Sequence, residues 1–256
     1  MPYPVIKLPV ISTGSAIKTS ASSLKAVYLP LDKKYATWNF AKLQSKTSIG
    51  QNKITLIDAG TAGTFSSNGL VLNRAENTFE NTGLLDANFN EFTIFGAFKI
   101  DSTAMYGQTA ILGNYQHSGA SGMNFDAFRN NATSSLGIQS LLVNNSTNTT
   151  TTMWSRGYEP NKFIFYALSY NKTTGAVSRY FYQSSTGIKA TRENTGYVAS
   201  TNPWVIGADF NFSLEGSTDT VTHPFTAIDN KYYTVADMEK LYIDTKSHLS
   251  LQGIEI

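Results

Sequence analysis

The chain has no cysteine, so neither a disulfide framework nor a thiolate metal site is available to it, and its stability has to come from packing. Charge is scarce as well. Asp, Glu, Lys and Arg make up 15% of the residues, where a soluble domain carries about a quarter. The 20 basic residues against 18 acidic ones leave a formal charge of +2, and nowhere do four basic residues run together. Without a phosphate-tracking basic stripe, nucleic acid is not an expected partner. No stretch approaches the roughly 18 consecutive apolar residues of a membrane helix, so no transmembrane span is expected. The opening "MPYPVIKLPVISTGS" is broken by Pro2, Pro4 and Pro9 and lacks a basic start followed by an apolar run, so no signal peptide is expected either. No repeat of fixed period is visible, which disfavours a propeller or solenoid.

What is present is apolar and neutral-polar. Hydrophobic residues reach 41%, and Ser, Thr and Asn supply the solubility that charge does not. The 256 residues suit one large β domain or two ordinary ones. Residues 1–35 read as an extended, proline-punctuated arm, and residues 36–256 as the folded body. From Tyr35 onward, short β-prone runs succeed one another, among them "YATWNF", "KITLI", "GLVL", "FTIFGAFKI", "AILGNY", "GMNFDAFR", "SLGIQSLLV" and "PWVIGADF". Gly, Asn, Ser or Thr clusters separate them, as in an antiparallel sandwich or barrel. The polar tract at 144–153, "NNSTNTTTTM", reads as a long surface loop. The Asn-x-Ser/Thr triplets at Asn131, Asn144, Asn145, Asn148, Asn171 and Asn211 read as loop composition.

Two segments carry most of the fold. In "KFIFYALSY" the odd positions Phe163, Phe165 and Ala167 and the even positions Ile164, Tyr166 and Leu168 are all apolar, so this strand needs cover on both faces. The turn Asn171 to Gly175 returns the chain as "AVSRYFYQ", completing a hairpin. In "TVADMEKLYIDTKSHL" the residues Val235, Met238, Leu241 and Tyr242 fall on one helical face, and Thr234 with Asp237 matches a capping box. This single amphipathic helix should lie against the sheets.

The ordered set "GLVLNRAENTF", "FTIFGAFKI", "FIFYALSYNKTTGAVSRYFYQSSTG", "WVIGAD" and "AIDNKYYTVADMEKLY" resembles the concanavalin A-like lectin/glucanase superfamily, in particular its laminin-G-like domains. The resemblance spans roughly residues 60 to 245. It departs where Pro160, Asn161 and Lys162 replace the usual Trp before the central strand, and where Pro224 and Phe225 replace the Gly that opens the last one. It implies an all-β antiparallel sandwich of jelly-roll type with a short carboxyl-terminal helix.

Chemistry is sparse. The glucanase branch of the resembled superfamily uses paired carboxylates in E-x-D-x-x-E spacing; Glu76, Glu80, Glu91, Glu215 and Asp219 do not supply it. The histidines His117, His223 and His248 have no G-x-S-x-G elbow to serve, and His248 suits a helix carboxyl end. "DANFNE" begins like a calcium loop with Asp86, Asn88 and Asn90, but Glu91 stands where Gly is required and Ala97 where the closing Glu belongs. Because laminin-G-like domains often bind calcium at loops, the resemblance leaves a shared site with Asp86 or Asp209 open; no cofactor is expected. "GTAGTFSSNG" is no phosphate loop. These residues nominate no catalytic group.

Carbohydrate is the partner that the residues favour. Sugar recognition needs an aromatic plane for the pyranose face and polar groups for its hydroxyls. The loops expected at Trp154, Arg156 and Tyr158 in "MWSRGYEP", at Tyr115 beside His117, and at Asp209 with Asn211 offer these. A Trp that only pins the sandwich edge explains the first group as well. The Ser/Thr/Asn-rich composition and proline-punctuated arm match phage tail, fibre and decoration proteins, so a virion location is expected. "PYPVIKLPVI" could contact other virion subunits, link a homo-oligomer or wrap its own sandwich. Three readings follow: a non-enzymatic glycan-binding virion protein, a purely structural one, and a polysaccharide-degrading enzyme.

Overall fold

A computed structural model describes residues 33–73, 76, 78–100, 107–116, 121–129, 135–144, 149–208 and 220–256. The expected arm lies outside the described residues as far as residue 32. Lys34, at its end, already belongs to the body: its ammonium is buried against Asp229 at 2.6 Å and against the Tyr233 hydroxyl at 3.0 Å.

The described chain is an antiparallel sandwich of two sheets. In chain order its strands are β1 (Ala36–Trp38), β2 (Ile57–Asp58), β3 (Thr64–Ser66), β4 (Gly69–Asn73), β5 (Glu80–Asn81), β6 (Glu91–Ile100), β7 (Gly107–Gly113) and β8 (Met123–Arg129). There follow β9 (Leu136–Asn144), β10 (Thr149–Tyr158), β11 (Ile164–Asn171), β12 (Ala176–Gln183), β13 (Ile188–Asn194), β14 (Val205–Ile206) and β15 (Thr220–Asp229). One sheet runs β13-β12-β11-β6-β15-β4-β3, with β1 also paired to β15; the other runs β10-β9-β8-β7-β14-β5-β2. A helix spans Val235–Ser250, and Thr234 and Asp237 close the capping box that the sequence predicts.

The doubly apolar strand has two covers. From β11, Ile164, Tyr166, Leu168 and Tyr170 enter the core between the sheets, where Phe125 of β8 meets Phe181 of β12 at 4.6 Å between ring centroids. Phe165 and Ala167, pointing the other way, join Met238, Leu241 and Leu249 of the carboxyl-terminal helix in a second cluster. Each buried side chain of this size contributes about 1.5–3 kcal/mol, so a solvated second face would forfeit much of the strand's stabilisation. Gly96 in β6 stands opposite Tyr166, and a Cβ there would lie 2.4 Å from the Phe225 carbonyl oxygen and 2.8 Å from the Tyr166 hydroxyl. The absent side chain gives the tyrosine ring its place.

Two elements depart from expectation. The polar tract at 144–153 is not simply a loop: residues 145–148 lie outside the described residues, but from Thr149 the chain is β10. Threonine is β-branched and suits a pleated strand, and β10 is the last strand of its sheet, so a polar run there loses little burial. Pro224 sits inside β15, at the irregularity between Thr222 and Phe225 where the pairing with β6 shifts register. A residue without an N–H is tolerated at such a bulge.

Candidate functional site

The seven-stranded sheet has an outer face set by alternation. Phe125, Ala127, Ile138 and Met153 point into the core. Their neighbours Asp126, Phe128, Gln139, Trp154 and Arg156 therefore face the other way. The register aligns Trp154 with Gln139 and Gln139 with Asp126, while Arg156 stands across from Gly137 and Gly137 from Phe128.

On this face Trp154 is 57% exposed, and its ring centroid lies 5.8 Å from that of half-buried Phe128. The Arg156 guanidinium covers both, at 4.8 Å from the Trp154 ring and 5.4 Å from the Phe128 ring. A Cβ at Gly137 would fall 2.4 Å from Phe128 Cζ, so the phenylalanine lies across bare backbone, and any side chain at 137 would lift it.

Beside the aromatics the polar groups are fixed in orientation. Asp126 is fully buried, and its Oδ2 accepts from Gln108 Nε2 at 2.7 Å, Asn124 Nδ2 at 2.9 Å and Gln139 Nε2 at 3.4 Å. A carboxylate only accepts, so it settles which end of each amide turns toward it. The NH2 groups of half-buried Gln108 and Gln139 are drawn to Asp126, and their carbonyl oxygens remain as acceptors. An apolar plane, a cation and preset amides can together hold a polyhydroxylated ring.

The other nominated residues lie elsewhere. In sequence Trp154, Arg156 and Tyr158 alternate as one face, but the register between β10 and β9 slips between Arg156 and Tyr158, where Gly157 takes φ +98. One extra residue turns a side chain to the opposite face. Tyr158 is accordingly 2% exposed, packed in the core, and burial pushes its hydroxyl up to about 12. Tyr115 is also buried, at 4% exposure, and has no ring face to offer. Asp209, Asn211 and His117 lie outside the described residues. Trp154 and Arg156 stand on a strand rather than the expected loop, and the platform includes Phe128, Gln139, Gln108 and Asp126, which the sequence reading misses. The alternation in "MNFDAFR" was the available signal: Asn124, Asp126 and Phe128 form one face of β8, Phe125 and Ala127 the other.

Asp86, the first residue of the calcium-like stretch, is an internal anchor. Its Oδ1 accepts from Asn114 Nδ2 at 3.0 Å and Trp204 Nε1 at 2.9 Å, and its Oδ2 from the Tyr197 hydroxyl at 2.6 Å and the Ser200 amide at 2.8 Å. Burial pushes its carboxyl up, and the four donors oppose that. Among the described residues no three His, Asp or Glu side chains cluster as metal ligands.

Asp58 and Glu80 face each other across β2 and β5, both in contact with the Lys46 ammonium. Glu80 is completely buried, and burial pushes its carboxyl up despite the lysine. A side chain without solvent access cannot reach a polysaccharide bond, so this pair is a clamp on Lys46. His223 is likewise sealed in the core beside Phe98, and neither ring nitrogen has a hydrogen-bond partner. Among the described residues no helix is long and apolar enough to cross a membrane.

No protein-family model matches the chain, and no curated protein does. Solved structures do. The botulinum neurotoxin serotype D binding domain superposes with a TM-score of 0.54 at 13% identity, covering 82% of this chain and 51% of that one. The binding domain of botulinum neurotoxin DC in complex with SialylT gives 0.56 at 11% identity, with 84% and 52% covered. A structure described as showing that cell entry of botulinum neurotoxin type C depends on interaction with two ganglioside molecules gives 0.56 at 11%, with 84% and 51% covered. The chain spans about half the length of these toxin structures, and what it shares with them is a β-sandwich fold.

Proposed function

We propose that this protein is a non-enzymatic carbohydrate-binding module whose binding surface is the Trp154 platform. One observation carries the reading: an indole left 57% exposed on a sheet face, beside a phenylalanine and across the register from an amide held by a buried carboxylate. An aromatic ring of this size costs free energy to leave in water. Stacking against the C–H face of a pyranose recovers it, while Gln108 and Gln139 accept from sugar hydroxyls. The neighbouring toxin domains whose descriptions mention SialylT and gangliosides support a glycan as ligand on this fold.

A place on a virion, as a phage tail or decoration protein, is the setting that the composition and the proline-punctuated start support. In a purely structural virion protein the same aromatic patch would be covered by another subunit. A glycan array separates the two. The wild type binds at least one class of glycan, and Trp154→Ala loses about tenfold or more while costing less than about 1 kcal/mol of stability. An unchanged array profile in the folded variant refutes the site. A patch found protected in a purified assembly supports the structural reading.

A further inference from the structure

We infer that the Trp154 platform selects acidic saccharides, those carrying carboxylate or sulfate, and that Arg156 sets this preference. The inference rests on the carbohydrate reading above and names the class of sugar.

Arg156 is exposed and forms no ion pair among the described residues; its recorded contacts are the two aromatic faces beneath it. A guanidinium placed only to hold the fold would be expected to find an acid. This one lies over the Trp154 and Phe128 rings, and no acceptor among the described residues takes its N–H edges. Those edges form the planar fork that matches a carboxylate or sulfate with two parallel hydrogen bonds. Because the rings already restrain the guanidinium, less side-chain freedom is lost when an anion docks.

The surroundings favour the same sign of ligand. Within β8, β9 and β10 the single acidic residue is Asp126, and it is fully buried among its amide donors, so no exposed carboxylate on these strands repels an anion. A second guanidinium, that of Arg192 in β13, donates to the Thr152 carbonyl, two residues before Trp154. Arg156 remains the cation in contact with the exposed indole. A neutral glycan would use the indole and amides and leave Arg156 unmatched. An acidic one uses all three.

The test compares matched pairs on the full chain: sialyl-lactose against lactose, and uronic-acid oligosaccharides against their carboxyl-reduced forms. The wild type is expected to bind the acidic member of at least one pair about tenfold more tightly. That preference should shrink as salt is raised from about 50 to about 500 mM. Arg156→Gln removes the charge while keeping a planar N–H donor, and it should bring the acidic sugar down to the level of its neutral partner. Equal binding of the two members by the wild type, or an undiminished preference in Arg156→Gln, overturns the inference and leaves the carbohydrate reading standing. Binding to neither member of any pair defeats both.

Discussion

Acid should destabilise this protein through His223. Its imidazole is fully buried in the inter-sheet core, with no hydrogen-bond partner on either ring nitrogen, and burial alone lowers its pKa from 6.5 to about 3. In the unfolded chain the ring takes up a proton near pH 6.5, whereas in the fold it stays neutral. Between those limits the unfolded state binds more protons, so stability is lost as pH falls below 6.5 and levels out near 3. The slope is about 1.4 kcal/mol per pH unit, which makes the loss about 2 kcal/mol at pH 5. His248 acts in the same sense, its pKa lowered by burial and then by Lys42. Glu80 and Asp86, with carboxyls pushed up by burial, act in the opposite sense. The His223 contribution therefore has to be isolated by difference. Urea denaturation of the wild type and of His223→Leu at pH 7.5 and 5.0 does this, because the other groups are common to both proteins. The wild type should lose about 2 kcal/mol more than the variant between the two conditions, or about 1 M in urea midpoint. Equal losses refute the argument, as would an imidazole signal of His223 that titrates near 6.5 in the folded protein.

Two further outcomes test the buried polar groups. Asp86→Ala leaves the Tyr197 hydroxyl, the Trp204 and Ser200 N–H groups and the Asn114 amide without their shared acceptor. It should cost about 3–5 kcal/mol, read as a fall in denaturation midpoint, and a cost below about 1 kcal/mol would show that water replaces the carboxylate. Lys46→Met leaves buried Glu80 and its strand partner Asp58 without a counterion, and should cost about 3 kcal/mol near neutral pH. Lowering the pH so that Glu80 is protonated should recover part of that loss, and a deficit independent of pH would contradict the pairing.

The platform lies apart from the core. Trp154 and Arg156 lie on the edge strand of the seven-stranded sheet, and the neighbouring residues that hold the sandwich together point away from them. On the proposed reading, substitutions of exposed Trp154 and Arg156 should therefore change glycan binding with little change in stability. The Asp86 anchor and the Lys46 clamp are expected to do the reverse.

The sequence by itself determined the periodic features. Strong alternation, β-branched and aromatic runs, turn residues and a capping box are local signals, and they suffice for an antiparallel all-β body, sandwich or barrel, for the hairpin of β11 and β12, and for the terminal helix. The apolar character of both faces of "KFIFYALSY" requires two covers. Tertiary structure alone decided what the polar and aromatic residues do. Trp154 and Tyr158 sit four residues apart in similar company, yet one is exposed and the other buried, because a bulge at Gly157 exchanges the faces of the strand. Asp86 looks like a loop ligand until Trp204, 118 positions away, is seen to donate to it. The platform itself joins β7, β8, β9 and β10, and a surface assembled by register across four strands leaves no spacing in any one of them.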